Sequence, residues 1–207
     1  MRLKQYIFES SDITYDDIQM IKKDCKKFFY ESRFMHRNLP LYRRMKRNIK
    51  KYEIITPRKN RKPRDTPIEI HKELDKLFKN EFGWKVRSEG VFCSGSITSS
   101  IYGNLYYMFP IGKFEYVWSP DIKDLTVELE RFDVLLSQDD KWYTTNIKET
   151  DEILSQLIYT YKDDNFLKAL ESGKEIALKC DKYYAVNANY IDEDYDLYEE
   201  LFKGDLP

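Results

Sequence analysis

Two apolar runs near the C-terminal end, residues 176–178 and 183–186, flank Cys180-Asp181-Lys182. Short strand-forming runs on either side of a polar triplet read as a β-hairpin. A Ser172-Gly173 break comes just before, so Glu175 stands where the first strand starts. A carboxylate there sits on rigid backbone at a sheet rim and can face a cleft; a solvated strand-end Glu is the plainer alternative. Upstream, residues 90–93 read as a strand. Residues 105–109 and 114–118 flank Pro110-Ile111-Gly112-Lys113 and read as a second hairpin, with 125–129 as a further strand. Helical spacing dominates the first half. Asp12 or Thr14 can cap a helix to about Ser32 with Ile18, Ile21, Cys25, Phe28 and Phe29 on one stripe. Thr66-Pro67-Ile68-Glu69 supplies an N-cap, a Pro at the first helical position and a Glu at the third; Ile70, Leu74, Leu77 and Phe78 form the apolar face, and Gly83 ends it. His71 lies beside that face, at its edge rather than in a catalytic role. A helix from Thr150 or Asp151 and a short one over 165–170 complete the elements, with a last helix or frayed end in the tail. Early helices followed by strands give an α+β fold: two packed antiparallel sheets around a cleft, helices outside.

At 207 residues the chain can bury a core without covalent staples. Lysines and arginines number 35 against 36 acids, so the molecule as a whole is not a nucleic-acid binder by charge. The charges are uneven, however. Residues 43–64 carry eleven Lys/Arg against Glu53 alone, while 191–207 is acidic. Such a basic run attracts phosphate or RNA, or is a solvated loop. Three distant cysteines and two histidines have no metal-ligand spacing, which points to a reducing compartment and no structural metal. No apolar run approaches the roughly 20 residues of a membrane span. No Gly-x-Gly-x-x-Gly unit joins a strand to a helix, and no P-loop is present.

Three separated segments carry a resemblance. Leu41-Tyr42-Arg43 after Pro40 resembles the first strand of the arginine-type mono-ADP-ribosyltransferases. Ser94-Gly95-Ser96 resembles their Ser-Thr-Ser strand end, and Glu175-Ile-Ala-Leu with Lys182-Tyr-Tyr-Ala-Val resembles their last strands. The small T-even phage modification enzymes are of similar length. The resemblance implies an ADP-ribosyltransferase-like pair of antiparallel sheets around an NAD cleft over residues 38–207, after an N-terminal helical part at 10–37. It implies NAD as co-substrate and phage origin. Arg43 would clamp the pyrophosphate, because a guanidinium is a permanently charged fork for phosphate oxygens. Ser94 or Ser96 would orient Glu175, and Glu175 would bind the ribose 2′-hydroxyl and stabilise the oxocarbenium ion. Tyr102 or Phe92 would stack nicotinamide. The acceptor-recognition loop would be 171–174, with Gly173 at the family's Glu or Gln position and Glu171 as a substitute. Arg44 and Gly95 also depart from the family pattern. Met1–Glu9 resembles the capsid-targeting propeptides of internal head proteins, ending in Ile7-Phe8-Glu9, or is a first helical turn. The implied enzyme is a monomer in the host cytoplasm or carried in the virion, modifying a host protein or nucleic acid with no membrane partner. Alternatives without chemistry are a nucleic-acid binder acting through 43–64 and a degenerate transferase that binds a host protein.

Overall fold

The computed structural model describes residues 13–63, 66–97, 103–132, 134, 136–138, 141–143 and 147–203. Met1–Glu9, Ser99, Ser100 and Tyr102 lie outside them. The chain opens with α1 (Tyr15–Asp24) and α2 (Lys26–Glu31). Thr14 caps α1 through a reciprocal box with Asp17, and the stripe expected from spacing is fully buried: Ile18, Ile21, Cys25, Phe28 and Phe29. Cys25 breaks the expected single helix in two, with φ −109° and ψ 28°.

The strands follow as β1 (Arg33–Phe34), β2 (Arg37–Asn38), β3 (Tyr42–Met45) and β4 (Tyr52–Ile55), so the basic run is part strand. Next come α3 (Ile68–Phe82), α4 (Val86–Glu89), β5 (Val91–Ser94), β6 (Asn104–Pro110), β7 (Phe114–Trp118) and α5 (Leu125–Arg131). The chain continues through β8 (Leu136–Gln138), β9 (Lys141–Tyr143), α6 (Ile147–Tyr159), α7 (Phe166–Ser172), β10 (Glu175–Cys180) and β11 (Tyr183–Asn187). It ends in α8 (Ala188–Asp192) and α9 (Tyr195–Phe202).

The fold is mixed α+β, built on a seven-stranded antiparallel sheet in the order β4-β11-β6-β3-β5-β10-β7. The expectation was two separate packed sheets. Seven strands instead form one sheet that narrows between β3 and β5 to a single residue pair, Tyr42 opposite Ser94, while β1-β2 and β8-β9 are separate two-stranded pairs. A shared core draws on both sides of that waist, from Cys93, Ile176 and Leu178 to Tyr107, Phe109 and Tyr184. Aromatic rings fill it: Phe28 meets Phe109 edge-on at 5.4 Å, and Phe29 stacks on Phe109 at 5.5 Å. Each such pair adds about 0.5–1.5 kcal/mol beyond its buried area.

Neither expected hairpin forms. β10 pairs with β5 and β7, whereas β11 pairs with β4 and β6, and β6 and β7 are likewise apart. A two-residue hairpin needs positive φ in its turn. The described non-glycine residues with positive φ are Met35 and Asn165, so Asp181-Lys182 does not make that turn. Both connections instead cross from one side of the waist to the other, and Ile111 N–H donates to Lys182 O where they meet. β11, buried along its whole length, takes an interior place in the sheet.

Three smaller expectations also shift. Residues 125–131 are helical: Asp124 caps Thr126 N–H, and Leu125 and Leu129 are buried one turn apart while Val127 is 56% exposed. α3 starts after Pro67, with no side-chain cap from Thr66, and ends at Gly83 in the left-handed region as expected. α6 begins at Ile147, before Thr150. The tail is helical, closing the core with Leu201 and Phe202. No helix among the described residues is long and apolar enough to cross a membrane.

Candidate active site

The waist of the sheet brings three distant segments side by side. β5 lies between β3 and β10, with Ser94 opposite both Tyr42 and Glu175 in register. A cleft of about 520 Å³ opens there, lined by Arg43, Arg44, Phe92, Ser94, Lys123 and Glu175 among others. Four of the residues expected from sequence therefore share one concavity, although Arg43 and Glu175 are more than half the chain apart.

Each is held by a definite set of contacts. Arg43 Nη1 donates to Phe92 O at 2.8 Å, which fixes its guanidinium across β5, and Arg44 Nη1 donates to Gly103 O at 3.1 Å. The Nε atoms of both arginines are buried without a hydrogen-bond partner. Buried guanidinium nitrogens keep donor capacity for an anion beside them, because an unmet buried donor is costly.

Glu175 opens β10, its backbone N–H donating to Lys123 O at 3.1 Å. Its side chain is 24% exposed, with Oε1 3.9 Å from Arg87 Nη1. Burial pushes its pKa up to about 7; Arg87 and Arg61 pull it down, and Asp124 pushes it up further. The carboxyl group is thus poised to change charge near neutrality, a property that clusters at functional sites.

The serines act differently from expectation. Ser94 Oγ donates to Gly173 O at 2.9 Å and accepts from Ser96 N–H at 3.2 Å; Ser96 Oγ reaches the same carbonyl at 3.1 Å. The hydroxyls hold the turn ahead of Glu175 rather than its carboxylate. Gly95 between them has no room for a side chain: a Cβ would lie 1.9 Å from Leu170 O. Gly173, at φ 63°, caps α7, and a Cβ there would meet Ser96 Oγ at 2.7 Å. Backbone geometry therefore accounts for the glycines at two positions where the family pattern has side chains. Glu171 is exposed near the end of α7, and neither it nor Ser96 lines the cleft.

Phe92 lines the cleft, but its ring is already covered. Arg61 lies over it at 4.6 Å and Arg87 at 4.8 Å, so a second flat ring would have to share that surface with guanidinium groups. These two arginines were missed in the sequence, as was the node that places them. Asp75 accepts the backbone N–H groups of Arg87 and Ser88 at 2.9 and 3.1 Å, along with the Ser88 hydroxyl. Ser88 O in turn accepts Arg61 N–H at 3.0 Å. His71 completes the node through Nε2 to Ser88 Oγ at 3.0 Å, and burial holds its pKa below the usual histidine value. It is a satisfied buried histidine, as expected. The signal available in the sequence was Asp75, an acid one position from the α3 apolar stripe that needed donors once buried.

The basic run 43–64 does not form one face. Arg47 pairs with Glu53 at 3.0 Å and Lys51 with Asp17 at 2.6 Å, while Arg43, Arg44 and Arg61 turn into cavities. Cys93 is buried, and burial keeps its thiol protonated, so it is no nucleophile. Among the described residues, no cluster of three or more His, Cys, Asp or Glu could hold a metal. Neither the family-model scan nor the searches of curated proteins and solved structures gives a match to this chain.

Proposed function

We propose that the cleft binds NAD and transfers its ADP-ribosyl group to a macromolecular acceptor, with the waisted sheet serving as an ADP-ribosyltransferase-like cleft. The observation that carries this reading is the convergence of Arg43, Ser94 and Glu175 on one cavity from three neighbouring strands. Its volume of about 520 Å³ is in the range of small-molecule sites. Arg43 and Arg44, with unmet buried Nε donors, suit the pyrophosphate, and Lys123 adds a third cation.

In this reading the bond between ribose C1′ and the nicotinamide nitrogen breaks, and nicotinamide leaves with the electron pair. Ionised Glu175 holds the ribose 2′-hydroxyl and stabilises the positive charge that develops on the ring, as carboxylates do in glycoside hydrolysis. The acceptor's nucleophilic atom then bonds to C1′ and loses its proton to solvent or to Glu175. Ser94 is a positioning residue, acting through Gly173 O on the turn that presents Glu175. Arg87 balances the carboxylate's charge. A phage source and a place in the virion belong to the same proposal and rest on the resemblance alone.

The test is incubation of the purified protein with NAD labelled in the adenylate phosphate and a bacterial lysate, following label transfer and nicotinamide release. Glu175→Ala should lower the single-turnover rate by at least about 10²–10³. Arg43→Ala should chiefly weaken NAD binding. Wild-type turnover by the Glu175 variant, or no NAD consumption by the native protein, would refute the proposal.

A further inference from the structure

A second concavity, of about 650 Å³, lies between α3 and the segment at 60–63. Six cations line it: Arg61, Lys62, Lys72, Lys76, Lys79 and Lys85. Among the described residues Asp75 is the one carboxylate in that lining, and it is already committed to the amides of Arg87 and Ser88. Lys76 also meets Glu73 at 2.8 Å, an exposed pair worth little against a polyanion. Lys72, Lys76 and Lys79 recur at helical spacing on one face of α3, a row about 10 Å long at 1.5 Å per residue. The groove does not end blindly. Arg61, Pro63 and His71 line both it and a smaller cavity of about 190 Å³, which also contains Arg87 and Glu175.

From this we infer that the α3 groove binds the phosphodiester backbone of a single-stranded nucleic acid and leads it toward Glu175. A row of permanent cations along a groove matches a line of phosphates, and the apolar lining, Ile68 and Pro63, offers no aromatic platform for reading bases. Binding is therefore sequence-independent and driven by counterion release. A single strand rather than a duplex fits, because a base must be free of its stack to enter a cavity as small as the one holding Glu175. The site differs from the basic run at 43–64, most of whose cations lie elsewhere. Delivery of the strand as acceptor, and with it the preference for a single strand, rests on the transferase reading, whereas phosphate binding in the groove does not.

The experiment is fluorescence anisotropy with a labelled oligo(U) of about 20 nucleotides, titrated with KCl. Each phosphate contact contributes about 0.7 to the slope of log affinity against log salt, so four to six contacts give a slope of roughly −3 to −4. The triple variant Lys72→Glu, Lys79→Glu, Lys85→Glu changes exposed residues only. It should bind at least about 10-fold more weakly, with the slope reduced by about 2. Lys46→Glu with Lys50→Glu, outside the groove, should leave both quantities unchanged. The inference is overturned if the native protein does not bind at low salt, if the triple variant binds as the native protein does, or if a duplex or a polyaspartate peptide of equal charge binds as tightly. Oligonucleotide binding without NAD consumption would remove the transferase reading and leave the groove assignment standing; NAD consumption without oligonucleotide affinity would do the reverse.

Discussion

Replacing Glu175 by Gln tests the electrostatics of the cleft without reference to any substrate. In the folded protein the carboxyl group's pKa rises from about 4.5 to about 7. Below the lower value the group is neutral in both folded and unfolded chains and imposes no penalty. As pH rises from there, the unfolded chain releases its proton first, so stability falls until the folded value is passed, and the penalty is then complete. The full displacement corresponds to about 3 kcal/mol between the protonation states. With the side chain 24% exposed, solvent relieves part of this, leaving about 1–2 kcal/mol. Glutamine keeps the shape and does not titrate. The variant should therefore unfold at a temperature higher than the native protein at about pH 8, by roughly 2–8 °C for a domain of this size. Near about pH 4, below the unfolded value, the two should nearly coincide. Circular dichroism melts across that range measure the gap directly. Parallel pH profiles, or a variant less stable than native at high pH, would show that the carboxylate is solvated or paired well enough to carry no burial penalty.

Other outcomes follow from the same geometry. Gly95→Ala should destabilise the fold by about 1–3 kcal/mol, because its Cβ would run into the carbonyl of Leu170, and a lower denaturation midpoint would register it. Asp75→Ala leaves two backbone N–H groups and a hydroxyl without their acceptor and should cost about 2–4 kcal/mol; loosened protection of the Arg87 and Ser88 amides in hydrogen exchange would localise the damage. Arg87→Met removes the stronger of the two cations that lower the Glu175 pKa, so the carboxyl group should titrate above about 7. If ionised Glu175 is the active form, the rate of NAD consumption rises with pH through that region, and the Arg87 variant shifts the rise to higher pH. An unmoved midpoint would detach Arg87 from the site.

Local signals in the sequence were read correctly where one element decides the outcome. The α1–α2 stripe, the Gly83 stop and the start of β10 at Glu175 all depend on residues within a few positions of one another. Strand partners depend on the whole sheet, and there the reading failed. Runs 176–178 and 183–186 are adjacent in sequence, yet each needs strands on both flanks to satisfy its buried backbone, and the sheet supplies four different partners. Residues 125–129 show how two periods coincide: apolar side chains at alternate positions also occupy the i and i+4 sites of a helix. The Asp124 cap and the exposure of Val127 decide for the helix. Arg61 and Arg87 were invisible for a different reason. Neither belongs to a motif, and both are placed by hydrogen bonds converging on Ser88 and Asp75 from outside their own segments.

The contact network also bears on which parts of the cleft are fixed and which must move. Gly95 is closed off by the Leu170 backbone, and Gly173, at φ 63°, by the Ser96 side chain, so neither position accepts a Cβ without a shift. The Phe92 ring is covered by the guanidiniums of two long side chains, Arg61 and Arg87. Asp75 accepts the Arg87 backbone N–H and Ser88 O accepts that of Arg61, so both backbones are tied to one node. A ligand with a flat cationic ring would compete with these guanidiniums for Phe92, and an anionic one would draw them off it. Phosphate groups passing from the α3 groove toward Glu175 would meet Arg61 at the junction, because that residue lines both concavities. Drawing Arg61 toward a phosphate would leave Arg87 alone over Phe92 and take from Glu175 one of the two cations that lower its pKa. If the groove takes phosphates as inferred, its occupancy and the charge on Glu175 would be coupled through Arg61.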